Sequence, residues 1–160
     1  MLILNTGGTF NKKYNPINGE LEVPYDNSAI ENILESVAIS HDIAGVVYKD
    51  SLDMNLEDRK MLVNIILHSD EKHFLIVHGT DTIDQTAEFL STIIEDKTIV
   101  LTGAMKPFEI DSIEASLNLG ISLGFLRASE KQGVYISMNG YVEPWDRLKK
   151  NKEKGIFELV

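Results

Sequence analysis

The sequence predicts an α/β fold of three layers, in which a mostly parallel, flavodoxin-like sheet lies between two layers of helices. Three observations predict it. Five short runs are rich in β-branched residues and apolar at consecutive rather than alternate positions, the pattern of strands buried on both faces. Four stretches between them carry apolar residues at helical spacing. The two kinds alternate along the chain, which implies right-handed crossovers and a sheet covered on both sides.

Leu2 to Leu4 is the first run, closed by Asn5-Thr6-Gly7-Gly8. Thr9 to Pro24 then breaks the rhythm. Phe10, Tyr14, Ile17, Leu21 and Val23 alternate with polar residues there, and Asn18-Gly19 is a hairpin signal. A hairpin or lid over the sheet's edge is expected, with a plain surface loop as the alternative. Asn27 to Val37 places Ile30, Ile33, Leu34 and Val37 on one helical face, and Ile43 to Tyr48 is the second run. Glu57 to His68 places Met61, Leu62, Ile65 and Ile66 together, before the third run at Phe74 to His78. Thr82 to Ile94 opens with the capping-box pattern Thr82-Ile83-Asp84-Gln85 and carries Ile83, Ala87, Leu90 and Ile94. Thr98 to Leu101 is the fourth run and Gly133 to Met138 the last. The helix between them, Asp111 to Arg127, opens with Asp111-x-x-Glu114 and carries Ile113, Leu117, Gly120, Ile121 and Gly124. Its two glycines, each costing about 1 kcal/mol of helix propensity, would let it lie close to the sheet. Arg147 to Lys154 is strongly basic and reads as a solvated helix or tail.

At 160 residues a single domain is expected over 1–160, burying roughly 70% of the surface of the unfolded chain. There is no Cys, so neither a disulfide nor a thiolate metal site is available. A net charge of −10 argues against a duplex-binding module, and so against nucleic acid as a partner. No apolar run approaches the ~20 residues of a membrane span. Met1 to Leu4 reads as a strand rather than a signal peptide, so a cytoplasmic location is expected. Neither Gly-x-Gly-x-x-Gly, a P-loop nor Gly-x-Ser-x-Gly occurs, and His68 and His73 lack metal-ligand spacing. No cofactor and no metal are expected.

In open parallel sheets ligands bind beyond the carboxyl ends of the strands. The segments expected there are Asn5-Thr6-Gly7-Gly8-Thr9, Lys49-Asp50-Ser51-Leu52-Asp53, His78-Gly79-Thr80-Asp81-Thr82, Thr102-Gly103-Ala104-Met105-Lys106-Pro107 and the stretch after Asn139-Gly140. Each has a plain explanation. Gly7-Gly8 and Gly79 serve tight turns, Thr80, Asp81 and Thr82 suit a helix cap, and His78 suits a satisfied core histidine. Capping leaves unexplained the second Gly-Thr, Gly8-Thr9, on the same rim.

Taken together, Thr6-Gly7-Gly8-Thr9, Ser51-x-Asp53-Met54-Asn55, His78-Gly79-Thr80-Asp81-Thr82 and Thr102-Gly103-Ala104-Met105-Lys106-Pro107 resemble the bacterial type I/II L-asparaginase family, in the same order. The likeness runs from Met1 to about Lys150 and covers only the N-terminal half of a full-length member, so the family's C-terminal domain is expected to be absent. The resemblance implies an amidohydrolase that converts L-asparagine, or another amide such as L-glutamine, to the acid and ammonia. Thr9 is then the nucleophile and Tyr14 the residue that helps activate it. Thr80, Asp81 and Lys150 form a second catalytic set, Lys149 being the alternative if the register slips by one. Ser51, Asp81, Gly8, Gly79 and Ala104 are the expected substrate-binding positions. A threonine hydroxyl is a poor nucleophile near neutral pH and needs a base beside it. A homodimer or larger assembly is expected, a neighbouring subunit supplying what the C-terminal domain would. Leu52, where the family commonly has Gln, makes the pocket drier and motivates an alternative: a weak or inactive domain that binds a small amino acid or amide.

Overall fold

A computed structural model describes residues 1–160. The chain opens with β1 (Leu2–Gly7), a 3-10 turn at Thr9–Asn11 and a short hairpin of β2 (Lys13–Asn15) and β3 (Glu20–Glu22). It continues through α1 (Ser28–Ser36), β4 (Asp42–Lys49), a 3-10 turn at Ser51–Asp53, α2 (Leu56–Leu67) and β5 (His73–Val77). Then come α3 (Ile83–Ser91), β6 (Thr98–Thr102), α4 (Ser112–Ala128) and β7 (Gly133–Met138). Three strands follow: β8 (Tyr141–Pro144), β9 (Leu148–Asn151) and β10 (Ile156–Leu159).

The main sheet has the order β4-β1-β5-β6-β7-β8. Its first five strands are parallel, the flavodoxin-like arrangement, and β8 is added antiparallel to β7. Successive side chains of a strand point to opposite faces, which splits the core in two. Ile3, Leu75, Val77 and Val100 pack with α1 and α4, whereas Leu4, Phe74, Ile76 and Leu101 pack with α2 and α3. The connection after β1 leads one way along the sheet, to β4, and the one after β5 leads the other way, to β6. The strand order therefore reverses between β1 and β5, and the crevice at their carboxyl ends is where this architecture receives ligands. No helix is long and apolar enough to cross a membrane.

Several local readings are corrected. Arg147 to Lys154 is neither helix nor tail: Leu148–Asn151 pairs with Ile156–Leu159 as an antiparallel ribbon. Leu148 and Phe157, 0% and 2% exposed, pin that ribbon to the core beside α3. Each strand buries one side chain, and backbone pairing from Leu148 opposite Leu159 to Asn151 opposite Ile156 makes it a strand pair. On α4 the expected stripe faces outward. Ile113 and Leu117 are exposed and nothing lies near Gly120 or Gly124. The buried face is Ala115, Asn118, Leu119, Ser122, Leu123 and Leu126, so two polar residues satisfied internally displaced the apolar stripe. Asn118 donates to the Gly103 carbonyl at 2.9 Å and Ser122 to the Asn118 carbonyl at 2.6 Å.

The caps move as well. Thr82 makes no side-chain cap to α3, because its hydroxyl donates instead to the Ser51 carbonyl at 2.8 Å. Asp111 caps the Ile113 N–H, but Glu114 turns back to accept from the N–H groups of Met105 and Lys106. The true capping box is at Asn55 and Asp58, opening α2. The expected hairpin after β1 forms, with Tyr14 opposite Leu21.

Candidate active site

The two Gly-Thr turns meet at the crevice. Gly8 has φ +73, and a Cβ built on it would sit 2.5 Å from the backbone nitrogen of Gly79. A Cβ on Gly79 would in turn sit 2.6 Å from the Ser51 Cβ and 2.7 Å from its Oγ. Only glycine lets three loops, those after β1, β4 and β5, approach this closely. Thr9 and Thr80 each stand one residue past this contact, on opposite sides of the switch point.

The ribbon β9–β10 delivers an amine to one side of it. Lys150 Nζ donates to Thr80 Oγ1 at 2.8 Å and to Asp81 Oδ1 at 2.9 Å. Lys150 is largely withdrawn from solvent, its side chain 14% exposed against 36% for Asp81. Its neighbour Lys149 has other partners, 3.8 Å from Asp84 and over the Trp145 ring at 5.1 Å. Of the two lysines, Lys150 is the one bonded to Thr80. Thr80, Asp81, Asp84 and both lysines line a cavity of about 300 Å³ with Ile83, Gln85 and Phe157.

Buried polar groups hold both turns from behind. Asn5 and Asn11 pair side chain to side chain at 3.0 and 3.2 Å. Asn5 also accepts the Gly7 N–H, and Asn11 donates to the Gly7 carbonyl at 2.6 Å. Both peptide groups of Gly7 are thereby fixed just before Gly8-Thr9. Behind Thr80, the fully buried His78 shares hydrogen bonds with the Gly79 carbonyl at 2.8 Å through Nδ1 and with Thr86 Oγ1 at 2.9 Å through Nε2. A carbonyl only accepts, so Nδ1 carries the proton and Nε2 accepts from the Thr86 hydroxyl. Burial pushes the His78 imidazole down to about 4 and keeps it neutral. Thr86 Oγ1 accepts in turn from Arg59 Nε at 3.0 Å.

The expected binding positions divide. Ser51 is 1% exposed, lies against Gly79, and its Oγ has no hydrogen-bond partner. Ala104 is fully buried in the apolar cluster with Phe10 and presents no surface to the crevice. Tyr14 is 57% exposed on β2 and makes no hydrogen bond to Thr9; its backbone N–H donates to Glu109 at 2.7 Å. The structure brings Gly8, Gly79, Ser51, Thr80, Asp81 and Lys150 together; Tyr14 stays on the hairpin. Sequence reasoning missed Asn5, Asn11, Thr86 and Arg59. Arg59 sits in Glu57-Asp58-Arg59-Lys60, which reads as a solvated face, and only its tertiary partners distinguish it.

Known proteins resemble this chain in sequence and in fold. The family description "Asparaginase, N-terminal" matches residues 1–156. L-asparaginase 2 of Bacillus subtilis is 30% identical over 141 residues, 82% of this chain and 38% of that protein. The probable periplasmic L-asparaginase of Haemophilus influenzae is 32% identical over 151 residues, 88% of this chain and 43% of that one. A glutamyl-tRNA(Gln) amidotransferase component from Thermococcus kodakarensis is 30% identical over 148 residues, 86% of this chain and 33% of that protein. The chain thus spans less than half the length of these curated relatives. In fold it superimposes on the thermostable L-asparaginase of Thermococcus kodakarensis with a TM-score of 0.83 at 24% identity, over 99% of this chain and 50% of the other. Crevice, loop order and the match over nearly all its residues agree: this chain belongs to the asparaginase family and corresponds to the family's N-terminal domain.

Proposed function

We propose that this chain hydrolyses the side-chain amide of L-asparagine to L-aspartate and ammonia, with Thr9 as nucleophile and no cofactor. The observation that carries the reading is the Lys150 ammonium, bonded at once to Thr80 Oγ1 and Asp81 Oδ1 beside the Gly8–Gly79 contact. The Thr9 oxygen attacks the amide carbon as its hydroxyl proton passes to the Thr80 oxygen. Thr80 gives its own proton to the departing nitrogen, so the C–N bond breaks to leave ammonia and a Thr9 ester. Because Lys150 donates into the Thr80 oxygen, the Thr80 hydroxyl proton is turned outward, toward that nitrogen. A water then adds to the ester carbon, one of its protons passes to the Thr9 oxygen as the ester bond breaks, and the free acid leaves. Asp81 holds the amine on one side, and its second oxygen is available to an α-amino group. The unpartnered Ser51 hydroxyl suits an α-carboxylate. L-glutamine is the next amide to test, and the reading includes a cytoplasmic homodimer or larger assembly.

Ammonia release from L-asparagine tests this, with Thr9→Ala and Thr80→Val alongside. Each substitution is expected to reduce turnover by roughly 100-fold or more; turnover that survives both removes the assignment. One observation favours a second reading, binding without turnover: Tyr14 makes no hydrogen bond to Thr9. L-asparagine raising the melting temperature with no ammonia released would select it.

A further inference from the structure

We propose that Arg59 is a positioning residue that ties the Ser51 loop to the Gly79-Thr80 turn from inside the domain; this rests on the hydrolytic reading above. The side chain is only 9% exposed, and none of the chain's ion pairs includes it. The adjacent Asp58 turns away to Lys49, at 2.9 Å. A buried cation without a carboxylate is expensive to keep, and its hydrogen bonds show what it is kept for. Nε donates to Thr86 Oγ1 at 3.0 Å, Nη1 to the Met54 carbonyl at 3.4 Å and Nη2 to Thr82 Oγ1 at 3.4 Å.

Two branches leave this guanidinium. One runs through the Thr86 hydroxyl to His78 Nε2, and from His78 Nδ1 to the Gly79 carbonyl, the peptide that carries Thr80. The other runs through Met54 and through Thr82, which itself donates to the Ser51 carbonyl. A planar fork with fixed donor directions reaches three acceptors on two segments at once, Met54 after the Ser51 turn and Thr82 and Thr86 at the start of α3. A lysine, with one point of charge, does not. Arg59 touches no substrate atom and acts only through the groups it holds.

The branches separate in kinetics. Thr86→Val cuts the first and leaves the second, so turnover falls roughly 10- to 100-fold while KM stays within about threefold; Thr86→Ser restores the hydroxyl and the rate. Arg59→Met cuts both, so turnover falls and KM rises, and Arg59→Lys does not rescue it. Melting temperatures hold, because an apolar side chain replaces an unpaired buried cation. Wild-type turnover in Arg59→Met, or losses in Thr86→Val that Thr86→Ser fails to restore, overturns the proposal. If the wild-type chain releases no ammonia, the hydrolytic reading fails on its own, and hydrogen exchange decides this one. Asp53 and Met54 donate their N–H groups within the Ser51 turn, and Arg59→Met is expected to speed their exchange at least tenfold. Unchanged exchange there rejects the tie.

Discussion

Gly8 and Gly79 touch across the crevice between β1 and β5, leaving no room for a side chain on either. This contact brings two hydroxyl-bearing turns from distant parts of the chain to one spot. Gly8→Ala must fit a Cβ 2.5 Å from the Gly79 nitrogen at a φ of +73. The left-handed backbone and the overlap together are expected to cost about 3 kcal/mol or more. Chemical denaturation measures this, and ammonia release is expected to be lost even in the fraction that folds.

Lys150 and Lys149 are adjacent but have different partners, Thr80 and Asp81 for the first and Asp84 for the second, so they separate in mutants. Lys150→Met is expected to reduce turnover by roughly 100-fold or more. Lys149→Met removes only the loose Asp84 pair and the Trp145 contact, and is expected to keep turnover within about threefold. Steady-state ammonia assays at saturating L-asparagine read both.

Stability should respond to acid through His78. Its imidazole titrates near 6.5 when unfolded and about 4 when folded, so between these values the unfolded chain binds more protons. The His78 contribution to stability is therefore fully present above pH 6.5, falls as pH drops, and is gone below about 4. The gap corresponds to about 3 kcal/mol. His41 shifts the same way, through partial burial and the Arg127 guanidinium. Urea titrations from pH 7 to 4.5 are expected to show a flatter profile in His78→Gln than in His41→Gln; equal slopes would sink this.

Gly120 and Gly124 interrupt α4 on its open face, with no atom near the place a Cβ would take. Alanine at either is expected to stabilise the chain by up to about 1 kcal/mol, from helix propensity alone. Thermal denaturation of the two single variants and the double variant checks this, including their additivity.

The parallel strands were legible because burial on both faces leaves runs such as Phe74 to Val77 with no polar alternation. The Gly-Thr turns were legible because few residues besides glycine permit such contacts. The ribbon was not: only Leu148 and Phe157 of β9–β10 are buried, too sparse an alternation to stand out among Lys149, Lys150, Lys152 and Lys154. Nor does a glycine pair announce which way it faces. On α4 that depended on Asn118 and Ser122 finding partners indoors. Thr82 had the right letter for a cap and spends its hydroxyl on the Ser51 carbonyl. Arg59 carried no local signal, because its meaning lies in Thr86, Thr82 and Met54.

The amine of Lys150 reaches Thr80 on a ribbon that belongs to no larger sheet, moored to the domain by Leu148 and Phe157. Its address is thus written in grease rather than in charge. Trimming Phe157 would unmoor the ribbon and carry the amine away from Thr80, silencing the crevice with every polar side chain still in place.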